Sequence, residues 1–124
     1  MAENILAEQY KKRSKAFALR LIRFIRTLPR TDEATVIGKQ LLRSGTSVAA
    51  NYRAVCRARS KAEFVAKIGV VVEEADETVF WLELVLDLEL VSKEVCSELL
   101  KEANELLAIF GASQRTAKSS AAYR

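Results

Sequence analysis

The stretch from Gly45 to Leu84, GTSVAANYRAVCRARSKAEFVAKIGVVVEEADETVFWLEL, joins a helix of small residues to a longer apolar helix through a basic connector. Inside it, Ser60-Lys61-Ala62-Glu63 is a capping box. The Ser60 hydroxyl can accept from the Glu63 amide while the Glu63 carboxylate turns back to the Ser60 amide, which marks a helix start. Downstream, Phe64, Ile68, Val71, Val72, Ala75, Val79, Leu82 and Leu86 recur at helical spacing and predict a core stripe on a helix running to about Leu90. A second apolar set, Phe80, Trp81, Leu84, Val85 and Leu88, faces away from the first. One bundle position needs a single apolar face, so this set predicts either an unusually deep burial or a contact with another subunit, and the subunit contact, anchored by Trp81, is the preferred reading.

Upstream, a helix from about Glu33 to Ala58 places Ile37, Leu41, Ser44, Gly45, Val48, Tyr52 and Val55 on one side and Lys39, Arg43, Arg53 and Arg57 on the other. Gly45 costs about 1 kcal/mol relative to Ala in a helix interior, so it points to close approach of another backbone or to a local kink. Asn51, at the edge of the core face, is expected to find buried partners and fix helix register. Before Pro29, a first helix from about Glu3 to Leu28 carries Phe17, Leu21, Phe24, Ile25 and Leu28 inward. Lys12, Lys15, Arg23, Arg26 and Arg30 lie opposite, and Thr31 or Asp32 is the next N-cap. After Ser92 as N-cap, a fourth helix aligns Val95, Cys96, Leu99, Ala103, Leu106, Leu107 and Phe110, with Gly111 as its stop. These four amphipathic segments and their short connectors predict an all-α, antiparallel up-and-down four-helix bundle over residues 1–111, with 112–124 a flexible tail.

The segment RSGTSVAANYRAVCRARSKAEFVAKIGVVVEEADETVFWLEL, with Leu28-Pro29 closing the first helix and Gln40-Leu41-Leu42-Arg43-Ser44 in the second, closely resembles bacterial four-helix-bundle proteins related to those encoded in ribosomal-RNA intervening sequences. The resemblance covers nearly the whole chain and implies a ring-like homopentamer without enzymatic activity. A related family, the accessory variability determinants of diversity-generating retroelements, is implied to work with nucleic acid through a basic surface. The chain departs from many relatives in lacking Glu-Gly after the helix-two Asn, which puts the break before the third helix later.

The net charge of +4 conceals an asymmetry. Residues 1–67 hold 15 Lys and Arg against 5 Asp and Glu, a net of +10, and residues 68–124 hold 5 against 11, a net of −6. Such halves can steer anions to one side and pair with each other. The candidate phosphate-contacting set is Arg13, Lys15, Arg20, Arg23, Arg26 and Arg30 on the first helix, with Lys39, Arg43, Arg53, Arg57, Arg59 and Lys61 on the second and its connector. The competing reading makes these residues the solvated backs of amphipathic helices, or the partners of an acidic helix in a neighbour. Aromatics do not interleave with them, so readout of single-strand sequence is not expected.

The chain contains no histidine, which excludes Ser-His-Asp and Cys-His nucleophile systems and histidine metal sites. Its four glycines are dispersed, without a phosphate-cradling loop. Glu73, Glu74, Asp76 and Glu77 avoid the core stripe and read as solvated or ion-paired surface. Cys56 and Cys96 read as small hydrophobes. No catalytic residue, metal or cofactor is therefore assigned. No apolar run reaches the roughly 20 residues of a membrane span, and the charged amino terminus does not read as a signal peptide. The expectation is a cytoplasmic homo-oligomer, either an accessory protein on RNA or DNA or a docking scaffold for a partner protein.

Overall fold

The computed structural model describes residues 2–119, with side chains from residue 5 onward, and contains four helices and no strand among them. These are α1 (Ala2–Ile25), α2 (Asp32–Val55), α3 (Lys61–Asp87) and α4 (Lys93–Ser119). Sequence neighbours pack side by side and the diagonal pairs do not approach, so the chain runs up, down, up and down around one core. The α2–α3 and α3–α4 seams are extensive, whereas α1 and α4 meet over a much smaller area.

The caps explain where the helices begin. Thr31 Oγ1 accepts from the Ala34 amide at 3.3 Å, and Ser60 Oγ accepts from the Glu63 amide at 3.0 Å. The return half of the capping box is displaced by one residue, because the Glu63 carboxylate accepts from the Arg59 amide at 3.3 Å instead of that of Ser60. At its other end α3 closes at Asp87, three residues before the expected Leu90. Leu90 N–H reaches the Val85 carbonyl and Glu89 N–H that of Leu86, a Schellman arrangement with Glu89 at φ 53° where glycine is the usual occupant. Helix α1 ends at Ile25, three residues before Leu28. Its last amides turn tightly onto Phe24 and Ile25, ahead of Pro29.

The expected α2 face is buried in full, and Gly45 makes room for the Leu21 side chain of α1 instead of the expected neighbouring backbone. A Cβ at Gly45 would collide with Leu21 Cδ2, and Leu21 is completely enclosed. The α2–α3 register is set by hydroxyls: Ser44 and Thr78 meet at 2.9 Å and Thr78 reaches the Glu74 carbonyl at 2.8 Å. One proton per hydroxyl makes this consistent when Thr78 donates to the carbonyl and Ser44 donates to Thr78. Asn51 does not share that role. Its amide donates to Ser47 within its own helix.

Three assignments are corrected. Val85, expected on the outward face of α3, is fully buried in the protomer core and leaves the proposed subunit interface. Val95, expected inward, is about half exposed. Helix α4 does not stop at Gly111. No glycine has a positive φ, Gln114 lies against Gly69 of α3, and Ala117 is buried, so the core phase of Phe110 continues to Ser119. Residues 120–124 of the expected tail lie outside the described residues. At this end of the core Tyr10, Tyr52 and Phe110 stack with centroids 4.8 to 6.5 Å apart, so both tyrosines are packing residues.

Candidate nucleic-acid interface

The cationic side chains of α1 and α2 do not form one stripe. The antiparallel packing sorts them by the neighbour they face. Arg13 turns to α4, where Nε and Nη2 grip Glu102 at 2.8 and 2.7 Å and Nη2 reaches Glu105 at 3.3 Å. That bidentate contact holds its guanidinium firmly protonated. Arg43 turns to α3, pairing with Glu74 at 2.9 Å and with Glu77, whose carboxylate also accepts from the Trp81 indole at 3.3 Å. Arg59 is engaged locally with Glu63. These three are committed inside the protomer, which weakens their place in the phosphate-contacting set.

The remaining cations divide by position. Lys15, Arg53 and Arg57 join Lys11 and Lys12 of α1 and Lys67 of α3 around a shallow trough of about 730 Å³ over the outer surface of α2. Its floor is Thr46, Ala49, Ala50 and Ala54. Short side chains on the solvent side of α2 lower the surface there, while long cationic stems stand on both flanks. Lys11 is paired with Glu8 at 2.6 Å and Lys67 weakly with Glu63 at 3.9 Å. Lys12, Lys15, Arg53 and Arg57 have no ion pair among the described residues.

At the opposite end of α2, Arg26, Arg30 and Lys39 surround a smaller hollow of about 300 Å³ beside Pro29. Lys39 and Arg53 are 14 residues apart, so the two clusters stand ~21 Å apart along the helix at 1.5 Å per residue. Arg20 and Arg23 lie elsewhere, on the α1–α4 side. Lys61 is exposed at the start of α3.

No aromatic ring lines the trough. An open, cationic and non-aromatic surface suits phosphate contact without base stacking.

Residues 8–112 match the family described as 23S rRNA-intervening sequence protein. The chain belongs to that family. A crystal structure of a protein of unknown function from the S23 ribosomal protein family of Bacteroides thetaiotaomicron superposes with a TM-score of 0.79 at 32% identity. The match covers 86% of this chain and 98% of that one. None of the curated proteins matches the chain.

For this member of the 23S rRNA-intervening sequence family, the trough adds Lys11, Lys12 and Lys67 to the expected phosphate-contacting set, of which only Lys12 is legible on the charged face of the first helix. The available signal was the run of small residues at positions 46, 49, 50 and 54 on the charged side of α2, where an amphipathic helix ordinarily carries long polar side chains. The outward α3 set also changes. Phe80 and Leu88 are exposed and Trp81 and Leu84 half-buried, with Phe80 and Trp81 edge to face at 5.0 Å. Both cysteines are free. Cys96 is buried as a small hydrophobe, which pushes its thiol up, away from the thiolate, and it donates to the Leu82 carbonyl, whereas Cys56, expected to pack likewise, is exposed. No helix among the described residues is long and apolar enough to cross a membrane.

Proposed function

We propose that this chain is a non-enzymatic, oligomeric helical protein of the bacterial cytoplasm that holds the backbone of RNA or DNA in the trough over α2. The observation that carries the reading is the set of Lys12, Lys15, Arg53 and Arg57, four cations without an ion pair among the described residues, standing over an alanine floor. The family's association with 23S rRNA supports RNA as the first ligand to try. Arg26, Arg30 and Lys39 extend the contact along α2. Assembly uses the outward face of α3, with Phe80, Trp81, Leu84 and Leu88, and the resemblance read from the sequence makes the number five. The exposure of Phe80 and Leu88 supports a second reading, a protein-docking scaffold that touches no nucleic acid.

Salt separates the two. Four phosphate contacts give a slope near −0.9 per contact, so affinity should fall about 150-fold between about 50 and 200 mM salt. Titration of structured RNA, duplex DNA and single strands checks this. Changing Lys12, Lys15, Arg53 and Arg57 to Gln should flatten the slope, whereas Arg13→Gln and Arg43→Gln should leave it unchanged. No binding at low salt would reject the trough and favour the scaffold.

A further inference from the structure

Two surfaces of the protomer are unpartnered, and their shapes and charges are complementary. One is a ridge on the C-terminal half of α3. Phe80 and Leu88 are 50% and 52% exposed, Leu84 lies one turn from each, and all three share the side of the helix turned from the core. Glu83 and Asp87 flank them, exposed and without an ion pair among the described residues.

The other is a groove of about 730 Å³ between the end of α1 and the start of α4, where the thinnest seam of the bundle opens. Phe24, Leu90, Val91 and Val95 give it an apolar lining. Arg20 and Arg23 stand on the α1 rim, exposed and without an ion pair among the described residues, and Glu98 stands on the α4 rim.

We propose that the α3 ridge of one copy seats in the α1–α4 groove of the next, with Glu83 and Asp87 meeting Arg20 and Arg23. This rests on the oligomeric reading above and names the surface that receives the ridge. Ridge against ridge would set Glu83 and Asp87 against their own copies, and groove against groove would oppose two concave arginine-rimmed surfaces. Both symmetric pairings are penalised by like charge. The ridge in the groove buries apolar surface on each side, and its two arginine–carboxylate pairings outweigh the single carboxylate of Glu98.

Such a contact is heterologous, because each copy offers two different surfaces, and it builds either a ring or a filament. Both surfaces lie at the end of the bundle where α1 and α3 finish and α2 and α4 begin. Successive copies therefore need little translation along the bundle axis, which favours closure into a ring.

Two variants test the pairing by sedimentation, with far-UV circular dichroism to verify folding. Phe80→Arg removes the ridge and Val95→Arg blocks the groove, both at half-exposed positions. Each variant alone should sediment at the 13.9 kDa of one protomer. Mixed at high concentration, they retain one good ridge and one good groove, so they should give a heterodimer of about 28 kDa, twice 13.9, and nothing larger. Arg20→Glu with Arg23→Glu should also dissociate the assembly, and adding Glu83→Lys with Asp87→Lys should restore it.

Val95→Arg that keeps the wild-type mass would overturn the groove assignment while leaving the oligomer reading intact, as would a mixture that stays at one protomer. A wild-type chain sedimenting at one protomer would remove both.

Discussion

Gly45→Ala sets two effects of opposite sign against each other. Alanine is favoured over glycine in a helix interior by about 1 kcal/mol, so on propensity alone the substitution stabilises α2. The new methyl, however, would land on Leu21 Cδ2, and Leu21 is completely enclosed between α1 and α2. Overpacking of this kind costs about 1–3 kcal/mol, and an enclosed neighbour places it toward the upper part of that range. The net expectation is a loss of about 1–2 kcal/mol, read as a lower urea midpoint at fixed protomer concentration, because the proposed assembly would contribute to apparent stability. A double-mutant cycle isolates the cause. In a Leu21→Ala background, itself costing about 2–5 kcal/mol, the methyl enters the vacated space and Gly45→Ala becomes neutral or stabilising by about 1 kcal/mol. Additive effects, or a stabilising single substitution, would refute the close approach of α1 and α2 at Gly45.

The remaining expectations concern seams, a cap and a titration. Arg13→Ala removes the bidentate clasp on Glu102 across the thin α1–α4 seam. Discounted for partial exposure, it should cost about 1 kcal/mol and speed amide hydrogen exchange in α1 more than in α3. Glu89→Gly relieves a left-handed residue at the end of α3 and should raise stability by about 1 kcal/mol, or roughly 3–5 °C in Tm, in a thermal scan. Burial raises the Tyr52 phenol above the ordinary value near 10, so the folded state keeps a proton that the unfolded chain loses. Stability should be fully present below about pH 10 and fall as pH rises beyond it, and Tyr52→Phe should reduce that alkaline slope in urea titrations at about pH 9 and 11.

How far the sequence could be read depended on the contrast within each helix. In α2 the apolar and charged positions separate cleanly, and every expected inward residue from Ile37 to Val55 is buried. In α3 apolar residues fall on more than one face, so period alone does not fix the phase. Phe64, Val72 and Leu86 are only half-buried, while Val65, Thr78 and Val85 fill the core. Gly111 was legible as a glycine near a helix end, but it does not take the left-handed conformation in which a glycine caps a helix, and nothing after it breaks the spacing that leads to Gln114 and Ala117. Caps at Thr31 and Ser60 depend on one side chain and the next turn, so they were readable. Ion pairs such as Arg13–Glu102 join residues 89 positions apart and depend on packing that local pattern does not encode.

The same sorting of charge bears on how the two proposed surfaces coexist. Arg20 and Arg23 stand over the α1–α4 groove near the end of α1, whereas Lys11, Lys12 and Lys15 stand over the trough nearer its start. A single basic stripe would force nucleic acid and a neighbouring copy to compete for one surface. Divided as it is, the chain leaves Lys12, Lys15, Arg53 and Arg57 over α2 clear of both the α3 ridge and the α1–α4 groove. In the proposed ring each protomer then presents its own trough, and the troughs act together on one backbone by effective concentration. Phe80→Arg should accordingly weaken binding to a long RNA far more than binding to a fragment that spans one trough. An equal loss on both lengths would place Phe80 in the nucleic-acid contact itself.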